Sequence, residues 1–257
     1  MKKMRYTLMT VLMLLVGSAR QVAGQSRPEA YVQADAVSSY LWRGQRNAGV
    51  SIQPAVGLKW RGMHFYVWAN EQLCPPSGQP VKHEIDFFLK YSITPAFTVG
   101  LKDVYVNTRG DGFFSFGSIP HAANGLDVLL AYDFRYVNFE WTTTVAGYDG
   151  YNRSGKRSYG SYLVVNAPFS FAWLDWNAQL GIVPYYCSRY SDDSSGGFHV
   201  NMCALKVSHT FNISRSGISI TPFTQLMVNP SARKAYVQAG ARFYFNPSAG
   251  KPVAGGL

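Results

Sequence analysis

The sequence has little charge, and no long apolar run follows its first 24 residues. Of its 257 residues, 15% are charged, 15% are aromatic and 47% are hydrophobic, whereas a soluble domain averages about 25% charged residues. The 16 Phe and 17 Tyr exclude a disordered chain. A helical membrane bundle is excluded as well, because a spanning helix needs about 20 consecutive apolar residues.

Motifs that carry catalytic or cofactor chemistry are absent. There is no G-x-S-x-G elbow, H-E-x-x-H zinc helix, Walker loop or dinucleotide fingerprint, and the five histidines lack metal-ligand spacing. We therefore expect no enzyme, no metal and no cofactor. An outer-membrane hydrolase is the minor alternative, and its residues would have to converge from distant positions, such as His199 with Ser208 or Asp127 with His121.

The N-terminus predicts an export signal. Lys2, Lys3 and Arg5 precede an apolar run at residues 6–16 and a segment rich in small residues at 17–24. This order is typical of a cleaved secretory signal peptide, and the apolar run is too short for a membrane anchor. Removing residues 1–24 lowers the net charge from +10 to +6. Since the remaining surplus is not clustered, we expect no nucleic-acid partner.

From Tyr31 onward, apolar and polar residues alternate in twelve segments. Strict alternation over such lengths predicts β-strands. Residues 97–106 and 198–211 change phase partway, which indicates β-bulges, and residues 158–166 have no clear face. A secreted β-sandwich would alternate in the same way, so the connections between strands have to separate the two architectures.

Long polar connections alternate with short ones along the chain. The long ones are residues 43–50, 71–81, 107–123, 149–157 and 188–196, and the short ones are 61–62, 94–95, the region of Arg135, 167–171 and 215–216; a last connection, 229–232, is short. Outer-membrane barrels combine short periplasmic turns, longer extracellular loops and an even number of strands. We therefore predict a signal peptide (1–24), an all-β, antiparallel up-and-down transmembrane β-barrel of about 12 strands (25–245) and a polar tail (246–257).

Aromatic residues on the apolar faces suit the two interfacial girdles of such a barrel. They are Trp42, Trp60, Trp141, Trp173, Trp176, Phe243 and Phe245. Together with the export signal they predict a location in the outer membrane of a Gram-negative bacterium. Its lipid and the barrel-insertion machinery are the expected partners, and the machinery either tolerates the tail after Phe245 or recognises that residue internally.

A resemblance to the TorF-type porin family rests on residues 31–106. The run S-S-Y-L-W-R-G is similar to the end of that family's first strand, and its motif residues are Ser38, Tyr40, Trp42, Arg43 and Gly44. Residues 53–56, 65–70 and 84–86 resemble the second to fourth strands, although Val67 stands where a glycine is usual. The resemblance implies a small outer-membrane barrel classed as a porin, without a defined substrate.

Charged residues keep to one parity of the strands, as a wet interior requires, because a charge on the lipid face costs about 2–4 kcal/mol at the midplane. The lumen and selectivity candidates are Arg43, Lys59, Glu84, Asp86, Lys90, Lys102, Asp127, Glu140, Asp175, Lys206 and Arg242. Such a lumen is either water-filled, with a weak ion preference, or closed by its own salt bridges. A channel for passive diffusion of small solutes or ions is the favoured function, and a non-conducting structural or adhesive barrel is the alternative.

Three cysteines are present, which an oxidising compartment would allow to pair. Cys187 and Cys203 flank the predicted loop at 188–196 almost symmetrically, and their parity places both on the polar face. A disulfide between them and two unpaired thiols are equally compatible with this spacing. Cys74 would be left unpaired.

Overall fold

The computed structural model describes residues 27–247 except 76, 79, 108–111, 117–121, 193–194 and 214–215. The predicted signal peptide, His121 and most of the predicted tail therefore lie outside the described residues. Within the described ranges no residue is helical. No helix long and apolar enough to cross a membrane occurs among them.

Fifteen strands make up the fold. They are β1 (Glu29–Val37), β2 (Tyr40–Trp42), β3 (Gln45–Ala48), β4 (Ser51–Trp60), β5 (Met63–Gln72), β6 (His83–Ser92), β7 (Phe97–Val106), β8 (Asn124–Phe134), β9 (Val137–Gly147), β10 (Ser161–Phe171), β11 (Leu174–Val183), β12 (His199–Ser208), β13 (Phe211–Ile213), β14 (Ile218–Asn229) and β15 (Lys234–Phe245).

Twelve of these strands form a closed antiparallel barrel. Neighbours along the chain pair from β4 to β12, β12 pairs with β14, β14 with β15, β15 with β1, and β1 with β4. The short strand β13 continues the course of β12 along β14. A closed sheet has no free edge, so all the strands find hydrogen-bond partners within it. The predicted twelve-stranded up-and-down barrel is confirmed.

The strands have an apolar outer face and a polar inner face, which β4 illustrates. Its outward residues Val56 and Leu58 are exposed, whereas inward Ser51 and Gln53 are buried. Exposed apolar side chains follow the same parity on other strands, and Val237 reaches 66% exposure. In water this surface would be unfavourable, so it fits a hydrocarbon surround.

Two predicted irregularities differ from the structure. Residues 167–171 are not a connection: β10 pairs with β11 through Phe171↔Leu174, and the turn is formed by Ala172 and Trp173, both at positive φ. Residues 97–106 contain no bulge, since β7 keeps an unbroken register with both neighbours. The phase change arises because apolar Val104 and Val106 are buried on its inner face.

The bulge predicted within residues 198–211 is confirmed. Gly181 pairs with Met202, but Ile182 pairs with Val200, so Asn201 is the additional residue of β12. The insertion reverses the inside–outside parity of every residue of β12 that follows it.

Residues 40–48 form a hairpin, which was not expected. The sequence pattern continues the first strand to Trp42 and predicts an outward Trp42 and a polar loop at 43–50. Instead, β1 ends at Val37, and β2 pairs only with β3. The residues of this hairpin touch inward side chains of β5, β6, β9, β12 and β14, on all sides of the barrel. A segment with contacts all round must lie inside the barrel, and we call it the plug.

Candidate functional site: the barrel interior

The barrel interior has two parts. Towards the long loops it is filled by the plug (residues 40–48). Towards the short turns the inner wall is part-exposed, and we call this half the vestibule, defined by Tyr31, Lys59, His64, Tyr66, Phe88, Lys90, Glu140, Arg242 and Tyr244.

The tip of the plug is a two-residue turn held by two asparagines. Arg43 and Gly44 have φ of 46° and 79°, the left-handed values that a type I′ hairpin turn requires at both central positions. The Asn201 amide donates to the Arg43 carbonyl at 3.0 Å, and the Asn229 amide donates to the Gly44 carbonyl at 3.1 Å. A Cβ on Gly44 would stand 2.0 Å from the Asn201 carbonyl oxygen, so only glycine fits this turn.

The Arg43 guanidinium is enclosed by rings and hydroxyls. It donates to the Tyr190 hydroxyl and to Thr142 Oγ1, each at 2.6 Å. It also lies 4.6 Å from the ring centroid of Tyr162 and 4.7 Å from that of Trp42, which are cation–π distances. No carboxylate of the described residues forms an ion pair with Arg43. Its charge is therefore held by aromatic faces and neutral acceptors.

Two buried ion pairs surround Trp42. Lys102 Nζ lies 2.7 Å from Asp86 Oδ2, and Arg189 lies 3.3 Å from Asp127 Oδ1. Both cations also approach the Trp42 ring, at 5.8 and 5.4 Å from its centroid. Since a buried charge is tolerated only when paired, each of these cations compensates a buried carboxylate beside the plug.

The start of the plug is fixed by its remaining motif residues. The Tyr40 hydroxyl donates to Glu84 Oε1 at 3.1 Å, and its ring packs against Trp68. Ser38 bonds β15 twice: its N–H donates to the Ala239 carbonyl, and its hydroxyl accepts from the Ala239 N–H. The five motif residues, which the sequence places at the end of a strand, therefore enter and hold the plug.

The charge pairs of the vestibule keep more of their surface exposed than those beside the plug. Lys90 Nζ lies 3.7 Å from Glu140 Oε2, and Arg242 makes two hydrogen bonds to Asp35, at 2.9 and 2.7 Å. The ammonium of Lys59 lies 5.5 Å from the Tyr31 ring centroid. These side chains lie on β1, β4, β6, β9 and β15, so charge lines the part of the vestibule wall that runs from β15 through β1 to β9.

A row of aromatic rings runs along one side of the vestibule. The ring centroids of Tyr244 and Tyr31 are 5.5 Å apart, those of Tyr31 and His64 5.8 Å, those of His64 and Tyr66 4.6 Å, and those of Tyr66 and Phe88 4.1 Å. We call this series the aromatic row. Its continuity depends on Gly57 of β4, because a Cβ there would meet the Tyr31 ring at 2.4 Å.

All eleven predicted lumen residues lie on the inner side of the barrel or in the plug. Those in or around the plug are Arg43, Glu84, Asp86, Lys102 and Asp127; those nearer the short turns are Lys59, Lys90, Glu140, Lys206 and Arg242; and Asp175 is exposed at the rim. Their part in selectivity stays a prediction. Sequence reasoning missed the residues that hold the plug: Thr142, Arg189, Asn201 and Asn229. The Arg43-Gly44 pair, followed by polar residues, was the one available signal of a turn.

Of the two alternatives for Cys187 and Cys203, the structure has the unpaired thiols. Cys187 and Cys203 are both free, and they lie on opposite sides of the wall. Cys203 points outward because the additional residue Asn201 shifts its parity. The buried Cys187 thiol instead accepts from the Ser158 hydroxyl and donates to the Asp149 carbonyl, both at 3.0 Å. Burial raises the pKa of the Cys187 thiol.

Of the two pairings of the hydrolase alternative, the first is not found among the described residues and the second is not tested. His199 and Ser208 occupy the two ends of β12, about 30 Å apart at the rise of a strand. Asp127 accepts from Thr144 and pairs with Arg189, whereas His121 lies outside the described residues. Among the described residues no group of histidine, cysteine and carboxylate side chains could hold a metal ion.

Comparison with known proteins gives no family. No family model and no curated protein matches the chain. One solved structure, described as "Unveiling the Mechanism Behind the in-meso Crystallization of Membrane Proteins", is 9% identical, with a TM-score of 0.44 over 88% of this chain and 86% of that one. Outer membrane phospholipase A from Escherichia coli is 12% identical, with a TM-score of 0.37 over 85% of this chain and 92% of that one. The resemblance to TorF-type porins stays a prediction.

Proposed function

We propose that this protein is an outer-membrane channel for passive diffusion of small solutes or ions, and that the plug is its narrowest point. The part-exposed, charged inner wall of the vestibule carries this proposal. A barrel filled by its own side chains along its whole length would bury these groups, but the side chains of Lys90 and Glu140 keep 23% and 34% of their surface exposed. Water therefore reaches the vestibule from the short-turn end.

The contacts of the plug suit a narrow passage. Its tip is held through amide-to-carbonyl hydrogen bonds, and Arg43 through two hydroxyls. Water can replace contacts of this kind at little net cost, since a protein hydrogen bond contributes about 0.5–1.5 kcal/mol. A small displacement of the plug would thus open a path lined by polar groups.

A non-conducting structural barrel is the second candidate, and the buried ion pairs beside Trp42 favour it. Lys102 with Asp86 and Arg189 with Asp127 close the wall around the plug. If these ion pairs keep the plug in place permanently, the barrel has no passage for solutes. Its function then depends only on its external surfaces.

Planar-bilayer recordings of the native protein and of a variant without the plug separate the two. Val37 and Ser51 are register partners, so an Asn-Gly turn can join them in place of residues 38–50. As a control, the same turn replaces residues 152–156 between Tyr151 and Arg157, which pair in a loop. The channel proposal predicts small conductance steps in the native protein and in the control, and several-fold larger steps without the plug. A folded native barrel that gives no steps would overturn it in favour of the closed barrel.

A further inference from the structure

The vestibule combines two features that together suit one class of ligand. The aromatic row offers ring surfaces on β1, β5, β6 and β15. Ammonium groups are held over rings, including that of Lys59 over Tyr31 in the vestibule and that of Lys206, which lies on β12 of the same inner wall, over Phe223 of β14 at 3.9 Å. Resting on the proposed function, which it deepens, we propose that the vestibule binds small aromatic carboxylates, its rings receiving the ring of the solute and its lysines the carboxylate.

The lysines are available to an anion because other groups occupy the carboxylates. Neither Lys59 nor Lys206 forms an ion pair among the described residues. Glu29, the register partner of Lys59, accepts a hydrogen bond from Asn246 at 2.8 Å. Asp35 is held by both hydrogen bonds of Arg242. Because no carboxylate of the described residues pairs with either ammonium, both lysines can pair with an incoming carboxylate.

The rings are arranged to receive another ring. Three of their four centroid separations, 4.6–5.8 Å, lie in the range at which aromatic pairs attract each other, and Tyr66 and Phe88 stack more closely, at 4.1 Å. Apart from Tyr31, which is buried against Gly57, the rings are only partly buried. Aromatic surface that is left in contact with water gains free energy when an apolar ring covers it.

The wall beyond Glu140 supplies hydrogen-bonding groups in place of rings. Asn138 of β9, Asn166 of β10 and Gln179 of β11 have inward parity, and the Gln179 amide donates to Asn166 Oδ1 at 2.8 Å. An aromatic side with cations and an amide side would therefore orient a solute that has one apolar and one charged end. A neutral aromatic solute would match only the rings, and an aliphatic acid would match only the charged and polar groups.

Ligand-observed NMR on the folded barrel in detergent, with benzoate as the probe, tests the site. Cyclohexanecarboxylate keeps the charge without the aromatic ring, benzyl alcohol keeps the ring without the charge, and empty micelles measure partitioning into detergent. We expect benzoate to bind more tightly than either control compound. Equal affinity for benzoate and cyclohexanecarboxylate, or no binding beyond that of the micelles, would overturn the proposal.

Two variants locate the binding. Lys59→Gln should weaken benzoate about two- to fivefold, the effect of one part-exposed charge contact. Tyr66→Leu should weaken it about two- to tenfold, the effect of one aromatic contact. Lys156→Gln makes the same charge change in an exposed loop and should leave the affinity unchanged. If both vestibule variants bind as the native protein does, the site lies elsewhere and the proposal fails.

This experiment is independent of conduction. Benzoate enters from the short-turn end, so binding requires no movement of the plug. A barrel that binds benzoate but gives no conductance would refute the channel and leave the binding site standing. A conducting barrel that does not bind benzoate would refute the binding site alone.

Discussion

The two halves of the barrel interior hold the same kinds of side chain in different surroundings. Beside the plug, the side chains of Arg189 and Asp127 keep 3% and 1% of their surface exposed, whereas in the vestibule those of Lys90 and Glu140 keep 23% and 34%. Each pair joins a cation to a carboxylate. What differs is the hairpin from the first long loop, which covers one pair and leaves the other in water. The plug therefore determines which charged side chains are buried and which are accessible to a solute.

Removing one member of each pair tests this difference most strongly. Asp127→Ala leaves the buried Arg189 without its carboxylate, and breaking a buried pair in this way costs about 3–5 kcal/mol. Glu140→Ala removes the partner of a part-exposed Lys90, for which we expect a loss of at most about 1 kcal/mol. Urea titration of the folded barrel measures the free energy of unfolding of both variants. Equal losses would mean that the plug does not set the burial of these charges.

A smaller change at the tip should release the plug without touching any charge. In Gly44→Ala the new Cβ collides with the Asn201 carbonyl oxygen and the left-handed φ is strained, so the turn must leave the two asparagines. Gly155→Ala is the matched control, because Gly155 has a φ of +69° and no atom within 4 Å of the added Cβ. Both substitutions place an alanine at a left-handed φ, which costs about 1 kcal/mol. Only Gly44→Ala also has the collision with Asn201.

Limited trypsin digestion reads out the position of the plug. Arg43 and Arg46 are the cleavage sites within it, and Arg43 is buried in the intact barrel. We expect faster cleavage at the buried Arg43 in Gly44→Ala than in Gly155→Ala and the native protein, whereas Arg46 is exposed in all three. Identical digestion rates in the two glycine variants would contradict the clamp formed by Asn201 and Asn229.

The features that could be predicted from the sequence are those that depend on residues close together in the chain. Alternation with a period of two, and loops of alternating length, were sufficient for twelve strands, because the inner and outer faces of a barrel repeat along each strand. The plug was missed for a related reason: alternation continues through Tyr40 and Trp42 although the strand ends at Val37. There Trp42 meets Arg43, Lys102 and Arg189 inside the barrel instead of lipid.

Contacts between distant residues could not be predicted. The bonds that hold the tip of the plug join residues 158 and 185 positions apart, and no local pattern connects Asn201 or Asn229 with the turn they hold. Parity failed for Cys203 because one additional residue in β12 reverses every position after it. A phase change in a sequence signals such a bulge, but it does not give the residue at which the parity changes.

The cysteines provide the mildest test, because labelling them does not perturb the fold. Trp42 of the plug packs against the buried group formed by Tyr162, Val183, Cys187 and Tyr190, so the Cys187 thiol reports whether the long-loop half is closed.

Burial raises the pKa of the Cys187 thiol and keeps it protonated near neutral pH. A water-soluble maleimide should therefore label the exposed Cys74 of the native barrel and leave Cys187 unlabelled, while detergent shields Cys203 on the outer face. After denaturation without a reductant, mass spectrometry should count three free thiols, whereas a single free thiol would mean that two of the cysteines form a disulfide. Gly44→Ala should label faster at Cys187 than Gly155→Ala does, because a displaced plug uncovers that thiol.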